Sequence, residues 1–142
     1  MGENAKIKIT PIASPTEIAV TPLRERAEGA LCSVARQFVA SVNGQVVGLL
    51  SFDNRPAFDA GVIYEIFVLE AFRKQGVATA LLEYGEALAR TTGYRRVKLV
   101  PRSLGGEMSD AQLVQWYERR GYVVMSNGEM EKVFDQGFRP SG

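Results

Sequence analysis

The chain has 142 residues, 46% of them apolar and 23% charged, and its formal net charge at pH 7 is +1. These values are typical of a globular domain with a sizeable core, and the near-zero net charge argues against nucleic acid or anionic membranes as general partners. The sequence has no histidine and one cysteine, Cys32, which excludes Ser-His-Asp triads, Cys-His dyads, internal disulfides and histidine-ligated metal sites.

Targeting signals are not apparent in the sequence. No apolar segment is long enough to span a bilayer, and residues 1–10 contain no signal-peptide core. We therefore expect a cytoplasmic protein that forms one domain over residues 1–142, with loose ends at 1–4 and 135–142.

The first half of the chain predicts a strand, a short helical region and a hairpin. Ala5–Ile12 alternates lysine with isoleucine and indicates a half-buried strand, and Pro22–Ala30 is the best candidate for a helix after it. Ser33–Val42 and Gln45–Asp53 are apolar runs that flank Asn43-Gly44. Asn-Gly favours a type I′ turn, so these runs predict an antiparallel hairpin.

The middle of the chain predicts a strand-helix-strand unit. Asp53–Gly61 has the composition of a loop, and Val62–Leu69 is apolar on both faces except for Glu65, as expected of a central strand. Gly76–Thr92 has apolar residues at helical spacing, and Arg95–Pro101 indicates another strand. Two strands joined by a helix of this length are expected to pair in parallel.

The last third predicts a loop, a helix and a second hairpin. Arg102–Met108 contains two glycines and indicates a loop. Ser109–Arg120 predicts a helix that opens with a capping box between its first residue and Gln112. Tyr122–Met125 and Met130–Phe134 flank a polar turn and predict antiparallel strands.

This order of elements predicts the fold class. One parallel strand-helix-strand unit lies among antiparallel hairpins, which indicates an α+β fold with a mixed, mostly antiparallel central sheet and flanking helices. A doubly wound fold is not expected, because the strand-helix-strand units do not repeat.

The turn between the predicted central strand and its helix is the candidate binding site. Arg73–Ala78 has the pattern R-x-x-G-x-A. A strand that enters a helix through such a turn exposes several backbone N–H groups at the positive end of the helix dipole. Gly76 and Ala78 allow a ligand to approach the backbone, and Arg73 and Lys74 add positive charge. The turn therefore predicts a pyrophosphate site.

Two segments resemble the GNAT superfamily of acyl-CoA-dependent N-acetyltransferases. Val68–Leu82, which reads VLEAFRKQGVATALL, is similar to the family's cofactor-binding stretch and contains its R-x-x-G-x-A signature. Trp116–Tyr122, which reads WYERRGY, is similar to the family's F-Y-x-x-x-G-F segment. Each segment lies in the expected local structure, and the resemblance implies the GNAT fold.

The resemblance also implies acetyl-CoA as co-substrate and no metal. In this family a bulge in the strand before the turn frees backbone groups for the pantetheine arm, and alignment assigns them to Phe67, Val68 and Leu69. The Val68 N–H would then polarise the thioester carbonyl. The pyrophosphate is expected on the residues of the turn, namely Arg73, Lys74, Gln75, Gly76, Val77, Ala78 and Thr79.

The implied reaction is direct attack of a primary amine on the thioester. In the family, the tyrosine equivalent to Tyr117 donates a proton to the departing thiolate, and the alternative is a tyrosine that only packs between helix and sheet. Glu65 is the candidate that accepts the amine's proton through water or holds the amine. The alternative for Glu65 is an ion pair with a basic residue on a neighbouring strand.

Other functions remain open at this point. The same fold without catalysis would give an acyl-CoA-binding sensor, whereas a Rossmann-type nucleotide fold lacks its G-x-G-x-x-G motif here. The acceptor is a small-molecule, protein or peptide amine, with no membrane partner and nucleic acid disfavoured. A homodimer is compatible with such a fold.

Overall fold

Seven strands build one mixed sheet in the computed structural model, which describes residues 6–101 and 108–134. The strands are β1 (Ile7–Ile12), β2 (Ala35–Val42), β3 (Gln45–Arg55), β4 (Ala60–Val68), β5 (Arg96–Leu99), β6 (Val123–Val124) and β7 (Met130–Val133). The α-helices in these ranges are α1 (Thr21–Gly29), α2 (Val77–Thr92) and α3 (Asp110–Glu118), and none of them is long and apolar enough to cross a bilayer. The predicted loose ends, 1–4 and 135–142, and the predicted loop Arg102–Met108 up to residue 107 lie outside the described residues.

The strands stand side by side in the order β1-β2-β3-β4-β5-β7-β6. Within the described ranges β4 and β5 are the parallel pair, with α2 between them in the chain. The other neighbouring strands pair antiparallel. This topology confirms the predicted α+β fold with one parallel strand-helix-strand unit.

Local sequence signals fix several of the element ends. Asn43 and Gly44 have φ angles of 52° and 81°, as the predicted type I′ turn of the β2–β3 hairpin requires. Ser109 Oγ accepts from Gln112 N at 3.2 Å, and Gln112 Oε1 accepts from Ser109 N at 2.9 Å. The predicted capping box therefore starts α3, and Pro22 lies in the first turn of α1, where its missing N–H costs nothing.

The predicted loop Asp53–Gly61 is wrong at both ends. β3 continues to Arg55 and β4 begins at Ala60, because residues 53–55 pair with residues 60–62. The connection is only the short 3₁₀ helix Pro56–Phe58 followed by Asp59, which has a φ angle of 52°. Polar composition indicated a loop, but cross-strand pairing extends the strands through those polar residues.

Helices cover the two faces of the sheet. On the α2 face, defined as the face covered by α2 and α3, Leu81 and Leu113 pack with strand residues of the larger core cluster. On the α1 face, Leu23 and Ala27 pack with Leu49 in a smaller cluster. Side chains alternate between these faces along most of β4, so most neighbouring residues of this strand lie on different sides of the sheet.

The sheet opens between β4 and β5. Their pairing ends at Ile63 and Leu99, whereas β4 continues to Val68. Just beyond this point β4 contains a bulge, because Ser51 pairs with Glu65 but Phe52 pairs with Ile63, so Tyr64 is the extra residue. The outcome is a gap beside the second half of β4, with a changed side-chain register on that strand.

We predict that Gly61→Ala destabilises the fold by about 1–3 kcal/mol, as overpacking of a core does. A Cβ at Gly61 would lie 2.5 Å from Cζ of Phe52, whose ring is fully buried and has no room to move. Urea unfolding measures the effect, with Gly29→Ala as the control because nothing lies within 4 Å of that position. Equal stability of the Gly61→Ala variant and the wild type would contradict the described packing.

Candidate functional site

The turn between β4 and α2 presents six consecutive backbone N–H groups, those of residues 74–79, without an acceptor in the described part of the chain. The preceding N–H, of Arg73, donates to Glu70 O at 3.3 Å, and the first helical bond runs from Ala80 N to Gly76 O at 2.9 Å. No side chain caps this end of α2. The amides on which the sequence prediction depends are therefore open to a ligand.

The backbone of the turn is shaped for an anion. Lys74 and Gly76 have φ angles of 65° and 86°, with ordinary negative values at Arg73 before them. Residues that alternate between right- and left-handed conformations direct their N–H groups into one concave surface. The positive end of α2 adds to the field there. Lys74 adopts this conformation with a side chain, which is unfavourable for a residue other than glycine.

A cleft of about 890 Å³ extends from this turn to α3. Val68, Arg73, Lys74, Gly76, Ala78 and Thr79 of the predicted site line it, together with Met108, Gln112, Gln115 and Trp116. Two further cations, Arg119 and Arg120, and one carboxylate, that of Glu70, also line it. Four positive side chains against one negative side chain make the cleft suited to an anion with more than one charge.

Arg120 was missed by the sequence analysis, although it lies inside the WYERRGY segment. Its guanidinium donates to Trp116 O at 2.8 Å and to Thr79 Oγ1 at 3.3 Å, and it stacks 3.8 Å from the centroid of the Trp116 ring. Burial lowers the pKa of Arg120, and the neighbouring charge of Arg119 lowers it further. An anion bound in the cleft would offset both effects. Through its bonds to Trp116 and Thr79, Arg120 joins α3 to the N-terminal end of α2.

The second half of β4 has a free edge towards the gap in the sheet. On the opposite edge Leu69 N donates to Val47 O at 2.9 Å, which fixes the alternation of the β3–β4 ladder. Because bonded and non-bonded pairs alternate, the backbone groups of Val68 and Ile66 point away from β3. Arg73 Nε donates to Val68 O at 3.1 Å. The N–H groups of Val68 and Ile66 are therefore aligned along the gap.

This alternation corrects the set of backbone groups predicted to be free. The Leu69 prediction is wrong, because its N–H is bonded to Val47 and its C=O accepts from Phe72 N at 2.9 Å. Phe67 forms the bonded pair with Leu49 of β3. Ile66 takes their place, and strand alternation counted from Val68 was the signal that could have identified it.

Tyr117 is buried in α3 and only 3% exposed. Its ring packs edge-on against Trp116 and Tyr122, with centroids 5.0 Å and 5.6 Å away. Burial raises the pKa of the phenol, against a smaller opposing effect of the Arg120 charge. The side chain does not line the cleft; Trp116 and Arg120 form the wall at this point.

Glu65 lies on the α1 face, away from the cleft. It is 8% exposed, and its Oε2 accepts from Arg26 Nη1 of α1 at 2.6 Å. The same guanidinium stacks 4.3 Å from the centroid of the Phe67 ring. An ion pair was the alternative foreseen for Glu65, but its partner comes from a helix and not from a neighbouring strand.

Of the other predicted residues, Gln75 and Val77 do not contribute their side chains to the cleft. Gln75 is exposed and donates through its side chain to Ala71 O at 3.3 Å, whereas the side chain of Val77 is buried in the core. Their backbone N–H groups face the turn, so only main-chain contacts link them to the site. The structure thus brings together the turn and Val68, but not Glu65 or Tyr117.

Comparison with known proteins places this geometry in a family. The acetyltransferase (GNAT) family matches residues 12–122. Among curated proteins no sequence matches the chain.

Several solved structures share the fold. The IAA acetyltransferase from Bacillus cereus ATCC 14579 is 18% identical with a TM-score of 0.70, over 91% of this chain and 100% of that chain. A GNAT family acetyltransferase from Elizabethkingia anophelis, with acetyl-CoA bound, is 19% identical with a TM-score of 0.68, over 90% of this chain and 98% of that chain. The ribosomal-protein-S18-alanine N-acetyltransferase from Escherichia coli is 15% identical with a TM-score of 0.68, over 94% of this chain and 99% of that chain. At these identities the likeness shows the fold alone.

We predict that Arg120→Gln weakens the binding of inorganic pyrophosphate about tenfold, since a hydrogen bond to a charged group contributes about 1.5–3 kcal/mol before solvent screening. Titration calorimetry measures the affinity. Arg24→Gln, on α1 and outside the cleft, is the control and should bind as the wild type does. Unchanged affinity of the Arg120→Gln variant would remove Arg120 from the site.

Proposed function

The chain belongs to the acetyltransferase (GNAT) family, and from this premise we propose that it transfers the acetyl group of acetyl-CoA to the primary amine of an acceptor. One observation carries the proposal: the six unpaired N–H groups of residues 74–79 lie at the end of a cationic cleft that continues along the free edge of β4. A diphosphate with a peptide-like arm is complementary to such a surface.

We infer the position of the cofactor from these backbone and side-chain groups. Its diphosphate binds the amides of Lys74–Thr79, with Arg73 and Arg120 nearby. The pantetheine arm follows the free edge of β4, first at Val68 and then at Ile66, and its amides pair with these backbone groups as a strand would. An N–H at this edge then stabilises the oxyanion of the thioester, which contributes roughly 10²-fold or more in rate.

The chemistry follows from the thioester. An acceptor ammonium first loses a proton, since a lysine-type amine has a pKa of about 10.4 and is mostly protonated at neutral pH. The free amine adds to the carbonyl carbon, a C–N bond forms and the C–S bond breaks. The thiolate leaves with the electron pair and takes up a proton, and the nitrogen releases its second proton to solvent.

Tyr117 is our candidate for the acid that protonates the thiolate. Burial raises the pKa of its phenol, so the group carries its proton at neutral pH. Its hydroxyl has no hydrogen-bond partner among the described residues and retains some accessible surface. A small displacement of Trp116 or Arg120 on cofactor binding would bring this hydroxyl to the cleft. Glu65 stays a prediction as the base, although its ion pair with Arg26 favours a structural role.

A non-catalytic acyl-CoA sensor is the second candidate. One observation favours it: neither Tyr117 nor Glu65 lines the cleft that would bind the cofactor. The free amides of the turn are equally compatible with binding alone, so the two functions differ only in turnover.

We expect the protein to release CoA thiol from acetyl-CoA in the presence of a panel of primary amines, as followed by a thiol reagent. The amine-dependent rate should exceed the rate without amine, because attack by nitrogen is the proposed step. Tight binding of acetyl-CoA without amine-dependent release would support the sensor instead, and no binding of acetyl-CoA at all would reject both.

We predict that Tyr117→Phe lowers kcat about 100-fold, the lower range for loss of a general acid, and leaves the acetyl-CoA dissociation constant within about twofold. Steady-state kinetics and titration calorimetry measure the two quantities. Tyr94→Phe is the matched control, because its hydroxyl bonds Asn54 Oδ1 at 3.3 Å and neither residue lines the cleft. A kcat equal to that of the wild type would reject the acid role.

A further inference from the structure

A second cavity, of about 600 Å³, opens on the α1 face of the sheet. It lies between the end of α1, strands β3, β4 and β5, and the turn that joins β6 to β7. The proposed cofactor position does not use it, since the cleft described above is lined from the α2 face. Its lining combines apolar side chains, such as Phe58 and Val100, with a small set of charged groups.

The cavity and the cleft are each lined by a residue of β4 beside the gap in the sheet. Pairing of β4 with β5 ends at Leu99, and Leu99, Val100 and Tyr64 line the cavity, whereas Val68 lines the cleft. An arm that follows β4 back from the turn passes Val68 and Ile66 and then reaches Tyr64, at about 3.3 Å per residue. The acyl end of such an arm would therefore lie towards this cavity.

Asp53 is a buried carboxylate in the cavity wall. It is 4% exposed, and its nearest described donor is the weak Sγ–H of Cys32, at 3.8 Å from Oδ1. Arg55 Nη2 lies 3.8 Å from Oδ2, an ion-pair distance beyond hydrogen-bond length. Burial raises the pKa of Asp53, with Arg55 and Cys32 opposing this effect. Among the described residues, Oδ2 has the 3.8 Å ion pair with Arg55 and no hydrogen bond, and Asp53 lines the cavity.

Two cations, Arg55 and Lys98, line the same cavity, and each lies beyond hydrogen-bond distance from its ionic partner. Among the described residues Arg55 has the 3.8 Å pair with Asp53, and Lys98 Nζ lies 3.6 Å from Glu129 Oε1 and 5.4 Å from the centroid of the Phe58 ring. Neither distance is a hydrogen bond, so both cations keep N–H donors for another anion. The charged and titratable groups in the wall around Asp53 are Cys32, Arg55, Tyr64, Lys98 and Glu129.

We propose that this cavity binds the acceptor and that the acceptor is a free amino acid with an apolar side chain, its ammonium group on Asp53 and its carboxylate on Arg55 or Lys98. The inference rests on the proposed function. An ammonium group supplies the strong donor that Asp53 lacks, and a carboxylate uses the donors of the two cations. The neighbouring opposite charges of an amino acid match the neighbouring Asp53 and Arg55, and Phe58 and Val100 suit its side chain.

Asp53 then also takes up the first proton. One ammonium proton moves from the nitrogen to Asp53 Oδ2 and from there to solvent. The free amine attacks the thioester, the C–N bond forms as the C–S bond breaks, and Tyr117 protonates the sulfur. The second nitrogen proton leaves to solvent, from which Tyr117 regains its own.

The experiment compares three acceptors that differ in one group: L-leucine, L-leucinamide and 3-methylbutylamine. The tripeptide Leu-Gly-Gly serves as a fourth. Rates of thiol release are compared at equal total amine concentrations and at a pH at which all four acceptors are mostly ammonium, the form proposed to bind Asp53, since the carboxamide lowers the pKa of the amine. We expect kcat/KM for L-leucine to exceed that for each of the other three by about tenfold or more, the contribution of one charged hydrogen bond.

Three variants test which side chain of the cavity binds which charged group of the acceptor. Asp53→Asn should lower kcat/KM about 100-fold for every amine, whereas Arg55→Gln should lower it about tenfold for L-leucine alone and abolish its advantage over L-leucinamide. Asp59→Asn is the matched control, because Asp59 is exposed, pairs with Arg95 at 3.4 Å and lines neither cavity. All three should bind acetyl-CoA as the wild type does, which verifies the fold and the cleft.

The outcomes separate this inference from the proposed function. A preference for the tripeptide, the amide or the simple amine overturns the amino acid, and wild-type kinetics of Asp53→Asn overturn the cavity. If Glu65→Gln lowers kcat/KM and Asp53→Asn does not, Glu65 is the residue that takes up the proton, and the Asp53 proposal is overturned. If L-leucine is inert while other amines are acetylated, the inference fails and the acetyltransferase stands.

Discussion

The early end of the β4–β5 pairing is the constraint on which the rest of the structure depends. β5 stops at Leu99, but β4 runs on to Val68, so one edge of the longer strand has no neighbour in the described sheet. Backbone groups left unpaired in a protein interior are costly unless something satisfies them. An extended arm bearing amides would satisfy them, and the bulge at Tyr64 sets which groups face the gap. The early end of the β4–β5 pairing is therefore both a feature of the fold and a part of the candidate binding site.

The gap also connects two different surfaces. The α2 face has free amides and an excess of arginine and lysine, and it is suited to a polyanion. The α1 face has a smaller, mixed-charge cavity in which Asp53 has no strong donor among the residues that the structure describes. A two-substrate transferase needs two such surfaces in contact at one point, with each substrate entering from its own side. Position along β4 decides on which face a side chain lies, because neighbouring residues alternate except at the bulge, where Tyr64 and Glu65 both lie on the α1 face.

The sequence predicted those parts of the molecule that local rules determine. Asn43-Gly44, the capping box of Ser109 and Gln112, and the turn around Gly76 each depend on a few neighbouring residues, and the structure has all three elements at these positions. The end of β3, the ion pair of Glu65 with Arg26 and the contact of Arg120 with Thr79 depend on residues distant in the chain. Asp53 belongs with these, since its importance comes from burial beside a cavity, and no motif marks it.

The most direct test of the central claim is an amide NMR titration of the protein with CoA. We expect the amide resonances of residues 74–79 to shift together with those of Val68 and Ile66, at one common dissociation constant. Such a pattern would mean that the turn and the free edge of β4 hold one ligand. Unchanged resonances at these positions, with shifts on another surface, would contradict the account.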